Sequence, residues 1–89
     1  MELKDTEKLM ESADYVERFK AEYYQTKIRY EKLKKYANKI EVEYITGKNI
    51  TGKKVEHDCP LDMLREQQRC MDQYLHVLEL RAEIEGAEL

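Results

Sequence analysis

Arg18 to Tyr36 reads RFKAEYYQTKIRYEKLKKY, a stretch that interleaves Lys and Arg with Tyr inside an otherwise acidic chain. Ammonium and guanidinium groups beside aromatic faces are what a protein offers to a phosphorylated ligand that carries a base. In a helix, Lys20, Tyr24, Lys27 and Lys34 fall along one edge at steps of four, three and seven. That edge reads as an anion site, with Lys for phosphates and Tyr24 for a base. The plainer reading is a solvated edge whose Lys stems shield the apolar seam beside it. Poor internal compensation favours the first, since only Glu22 and Glu31 sit among six cations from Arg18 to Lys34. Arg81 is a further candidate. It interrupts an apolar stripe of Met63, Cys70, Tyr74, Val77 and Ile84, where a guanidinium needs a partner. In an antiparallel hairpin it lies close to Arg18 and Lys20. It then either pairs with a Glu across a subunit interface or forks onto a ligand phosphate. The candidate ligand set is therefore Arg18, Lys20, Tyr24, Lys27, Lys34 and Arg81.

Other groupings carry less. GKNITGKK at 47–54 matches a phosphate-loop pattern in all but its last position. Lys54 stands where the magnesium-binding Ser or Thr belongs. Val55 to Cys59 and a Pro-led helix start follow where the motif needs an immediate helix. His57, Cys59, Cys70 and His76 suggest zinc, but Cys59 and Cys70 on one helix would stand about 16 Å apart. A Cys59–His57 nucleophile lacks an orienting group and an oxyanion site. The sequence thus reads as a non-enzyme with no metal and no cofactor. Asn49-Ile50-Thr51 is a glycosylation sequon without meaning in a cytoplasmic protein.

The charge is segregated along the chain. Residues 18–54 carry eleven Lys and Arg against four Glu, residues 1–17 carry two Lys against six acids, and residues 55–89 carry three Arg against nine acids. The formal net of −3 hides a positive middle between two negative ends. That balance opposes nucleic-acid binding, which depends on counterion release over a basic surface. Eighty-nine residues make one small domain, short enough to want a staple or a partner. No apolar run approaches the roughly 18 residues of a membrane span. Two cysteines and no secretory leader argue for a reducing cytoplasm with both thiols unlinked.

The elements that must position these residues are helical. Residues 1–13 form a weakly patterned N-terminal segment. Asp14 with Glu17 fits a capping box, with Ser12 as the rival cap. From there Val16, Phe19, Tyr23, Thr26, Tyr30, Leu33, Ala37, Ile40 and Tyr44 recur at steps of three and four, which predicts a first long helix within 14–44. The connector 45–59 holds a tandem ITGK and breaks the helix, as a loop or a short β-hairpin. A second helix over 60–85 opens on Pro60, with Asp58 or Cys59 as cap, and stops at Gly86. It carries two seams. One is Leu61, Leu64, Gln68, Met71, Leu75, Leu78 and Ala82. The other is Met63, Gln67, Cys70, Tyr74, Val77, Arg81 and Ile84. The expected fold is all-α, an antiparallel hairpin of two long helices with a short N-terminal helical segment. One hairpin buries only one seam from each helix. Ala21, Tyr24 and Ile28 remain opposite, and the N-terminal segment covers only part of them. A second copy in a two-fold homo-oligomer is the expected cover for the rest.

Two strings, ERFKAEYYQTKIRYEKLKKY at 17–36 and HDCPLDMLREQQRCMDQYLHVLELRAEIEGAEL at 57–89, resemble a family of small accessory proteins of crAss-like and Firmicutes phages and prophages. The resemblance covers both long helices and leaves out the connector. It implies a phage-encoded protein acting in the cytoplasm of the infected bacterial host. By analogy it also implies a counter-defence sponge that holds a nucleotide signal of CBASS or Thoeris immunity without turnover. The alternative is an inhibitor or adaptor that docks on a host protein through its acidic and apolar helix faces.

Overall fold

The computed structural model describes residues 1–47 and 58–89. The expected connector, its doubled ITGK, the GKNITGKK string and His57 lie wholly or largely outside these residues. Among the described residues every element is helical. A 3-10 turn, Leu3–Thr6, runs into the short helix α1, Glu7–Met10. The long helices are α2, Tyr15–Thr46, and α3, Leu61–Glu85.

The ends of α2 and α3 follow their local chemistry. Asp14 caps α2 by accepting the Val16 N–H at 2.9 Å. Ser12, the rival, instead accepts the Asp14 N–H at 3.0 Å and so braces the cap from outside. The helix runs two residues past Tyr44 and ends at Gly47, whose φ of 66° is the left-handed conformation that glycine adopts without a Cβ penalty. Pro60 differs from expectation: it is the N-cap of α3 rather than its first helical residue, with ψ at 148°. Neither Asp58 nor Cys59 is the cap; the Pro60 carbonyl itself accepts the Met63 and Leu64 N–H groups. Gly86, with φ of 74°, closes α3, and both its N–H and that of Ala87 return to the Ala82 carbonyl.

The two long helices pack antiparallel along the expected seams. Phe19, Tyr23, Leu75, Leu78 and Ala82 form one buried cluster, edged by Tyr24, Tyr30 and Ala87. Ala37 and Ile40 continue the buried side of α2. On α3, every residue of the first seam from Leu61 to Ala82 is buried or half-buried. Polar ties fix the register along the length. The Tyr15 hydroxyl donates to Glu85 at 2.9 Å, Tyr23 donates to Glu79 at 2.9 Å, and Tyr74 donates to Glu22 at 3.0 Å. At the far end Arg65 donates to Glu41 at 2.6 Å and to Asn38 at 2.9 Å. Among the described residues this is the interhelical ion pair, and its cation comes from α3, not from the Lys-rich helix.

The N-terminal segment docks on another side of α2. Thr6 is fully buried there; its hydroxyl donates to the Leu3 carbonyl at 2.6 Å and accepts from the Gln25 amide at 2.9 Å. Gln25 also reaches the Met10 sulfur. Ala21, one turn before Gln25 on the same face, is completely buried, and Ile28 is half-buried. That surface of α2 is therefore covered within the chain. The second seam of α3 is not: Met63, Tyr74, Val77 and Ile84 are all exposed.

The Tyr23 tie gives the hairpin an alkaline limit. Burial first, then the bond to Glu79, pushes the Tyr23 phenol from 10.0 up to about 12. Burial and Glu22 raise Tyr74 in the same direction. A group whose folded pKa is raised contributes stability that is whole below its unfolded pKa and is lost as pH rises through the folded one. Helicity in mild denaturant is expected to stay flat from neutral pH to about 10 and to fall between about 10 and 12. Tyr23→Phe is expected to blunt that fall in an alkaline circular-dichroism titration.

Candidate functional site

The face of α2 between the docked N-terminal segment and α3 carries its lysines. Tyr24, Lys27, Ile28, Glu31, Lys32 and Lys35 line a groove of about 420 Å³, closed on one side by Met1. The sequence puts them there because residues three, four, seven and eight apart share a helix face. Every lining residue but Met1 comes from one continuous helix, so the spacing of their charges is fixed by its pitch. The groove holds three ammonium groups and one carboxylate. Among the described residues none of Lys27, Lys32 and Lys35 lies in an ion pair.

The aromatic wall is pre-set. Tyr24 meets the Tyr23 ring edge-on, with centroids 5.4 Å apart and planes at 79°. Tyr23 is held in turn by Glu79, and the Lys27 ammonium stands 5.7 Å from the Tyr23 centroid. Tyr24 is half-buried against the core cluster, which leaves it few rotamers to lose on binding. Beyond Lys27 and Glu31 a second groove of about 300 Å³ opens between α2 and α3, lined also by Tyr30, Asp72, His76 and Glu79. Lys27 therefore stands on the crest between a basic groove and a mixed one.

The six residues singled out from the sequence do not form one site. Tyr24 and Lys27 come together in the basic groove. Lys20 is half-exposed on α2, while Arg18 and Lys34 are exposed; none of the three lines the groove. Arg81 lies near the start of α2, as a hairpin requires, but its guanidinium is engaged. It stacks 5.0 Å from the Phe19 centroid, donates to Glu85 at 3.2 Å and donates to the Tyr15 hydroxyl at 2.6 Å. The Glu85 bond, foremost, holds its pKa above the ordinary value. Lys32 and Lys35 are what the sequence reading missed. Their signal was present, since Tyr24, Ile28, Lys32 and Lys35 step by four, four and three, but the cover from Met1 that makes this a groove is a tertiary event.

A family model described as Sequestin matches residues 13–84. The chain belongs to the Sequestin family. The Sequestin match spans both long helices and stops short of the segment that carries Met1 and Thr6. The family's name points to sequestration, in keeping with the sequestering accessory protein expected from the sequence. Comparisons with curated proteins and with solved structures returned no match. Among the described residues no group of three or more His, Cys, Asp or Glu is placed to hold a metal ion, and no helix is long and apolar enough to cross a membrane.

Proposed function

We propose that this Sequestin-family chain is a phage counter-defence protein that binds a nucleotide immune messenger and holds it without turnover. The messenger class is a cyclic oligonucleotide or an ADP-ribose derivative. The observation that carries the reading is the groove on α2, where three lysines that make no ion pair among the described residues flank a braced tyrosine ring. Lys27, Lys32 and Lys35 hold phosphates and Tyr24 stacks on a base, a contact worth about 1–3 kcal/mol by analogy with base–aromatic stacking. Glu31 stands among the lysines as an acceptor for a ribose hydroxyl or a base N–H. Arg18, Lys20 and Lys34 extend the positive field along α2 and draw the anion in. Arg81 acts at the hairpin's end rather than on the ligand.

Sequestration needs affinity and stoichiometry but no chemistry. The protein works by mass action: each occupied groove removes one messenger from the pool that activates the host's effector, in the cytoplasm of the infected cell. The test is to load the protein with a bound nucleotide, remove the free fraction, unfold the protein with heat and analyse what is released. Intact nucleotide equal in amount to what was loaded is the expected result. A hydrolysed or rearranged product would make the protein an enzyme and overturn the reading.

A further inference from the structure

The second seam of α3 is an apolar stripe that the described chain leaves uncovered. Met63, Tyr74, Val77 and Ile84 are 60, 43, 49 and 83% exposed, and with Gln67, Cys70 and Arg81 they make one stripe at steps of four and three. The stripe runs roughly 30 Å along the helix, longer than a monomer ordinarily leaves bare. We propose that this stripe is a two-fold interface at which α3 packs antiparallel against α3 of a second copy.

The order of residues along the stripe selects that occupant and that direction. A two-fold contact brings a patch against itself, so the patch must be self-complementary. With the axis passing beside Tyr74, Met63 meets Ile84 of the partner subunit, and Cys70 meets Val77 of the partner subunit. In the same register Glu66 meets Arg81 of the partner subunit. Met63, Cys70, Val77 and Ile84 thus face apolar residues, the stripe's Arg81 faces a carboxylate that flanks the stripe, and Tyr74 lies against Gln73 of the partner subunit beside the axis. A parallel pairing in register would set Arg81 against its own copy and Glu66 against its own copy, a like-charge arrangement that costs energy at each. The guanidinium of Arg81 has capacity for this: its Nε and Nη2 serve Glu85 and Tyr15, and its planar fork carries further N–H donors. Glu66 accepts from Arg69 through both carboxylate oxygens, and each oxygen has a second lone pair for a further donor.

The dimer would leave ligand binding to each chain. The basic groove is lined by α2 and Met1, with no residue from α3. A dimer built on α3 therefore presents two separate grooves, and the interface stands independently of the proposed ligand.

Sedimentation of the full chain, with a disulfide probe, tests this. Wild type is expected to sediment as a dimer. Val77→Glu, at a residue half-exposed in the monomer, is expected to sediment as a monomer with unchanged helicity. Val77→Cys is expected to form an intermolecular disulfide with Cys70 of the partner subunit on mild oxidation, located by peptide mapping. A wild type that stays monomeric at the highest usable concentration overturns the proposal. So does a dimer that survives Val77→Glu, because another face would then be pairing and the stripe would be left for a different protein. A cross-link joining position 77 to its own copy, without the link to Cys70, overturns the antiparallel register.

Discussion

Lys32→Glu with Lys35→Glu is expected to abolish nucleotide binding while leaving the hairpin folded. The pair turns the groove from three ammonium groups against one carboxylate into one against three. Each charged hydrogen bond to phosphate contributes about 1.5–3 kcal/mol, so losing two raises the dissociation constant about 100-fold or more before repulsion is counted. Both side chains are exposed and outside the ion pairs of the described residues, so thermal stability is expected to stay within about 0.5 kcal/mol of wild type. Isothermal titration beside a thermal melt separates the two effects. Binding in the wild type is also expected to weaken as salt rises, because these are exposed charges within reach of screening. A double variant that binds as wild type does would take the ligand out of this groove. Arg81→Ala is the informative companion, since it is expected to loosen the Tyr15–Glu85 end of the hairpin and leave affinity nearly unchanged.

Leu78→Ala is expected to cost about 2–5 kcal/mol, the range for truncating a buried leucine. Leu78 is 1% exposed at the centre of the cluster formed with Phe19, Tyr23, Leu75 and Ala82. Domains of this size sit at the low end of the about 5–15 kcal/mol that hold native proteins together, so one such loss consumes much of the total. Leu80→Ala is the control. It makes the same chemical change two residues away on α3, at a side chain 51% exposed, and is expected to cost less than about 1 kcal/mol. Urea denaturation followed at 222 nm reads both. Equal losses at the two positions would mean that α3 turns a different face to α2.

The contrast between Leu78 and Leu80 shows what the sequence made legible. The heptad spacing on α3 placed Leu61 through Ala82 against α2, and each of those residues is at least half-buried. On α2 the same argument holds from Phe19 to Ile40 and fails at both ends, where Val16 and Tyr44 are exposed. At the Tyr44 end the reason lies in length: α2 extends to Thr46, and its last turns run beyond the Arg65–Glu41 tie, near where α3 begins. Periodicity marks a face but does not say where the neighbour stops. The docking of the N-terminal segment was less legible, because Thr6 and Gln25 are polar and leave no mark in an apolar pattern. Yet their hydrogen bond brings the segment down beside Ala21. The basic groove depends on that docking through Met1, which is why linear spacing found Tyr24 and Lys27 but passed over Lys32 and Lys35. Arg81 stood open in the sequence between a ligand fork and a pairing with a Glu, because its partners, Tyr15 and Glu85, come from the start of α2 and from its own next turn.

Capture of a nucleotide messenger by this member of the Sequestin family is open to direct measurement. Native mass spectrometry of the full chain, alone and with cyclic di- and trinucleotides and ADP-ribose derivatives, tests it most directly. One class of nucleotide is expected to add its intact mass, up to one per chain, and the Lys32→Glu, Lys35→Glu variant is expected to add none. A wild type that gains no mass across the whole panel would contradict the claim, and would leave the lysines of α2 as a solvated face.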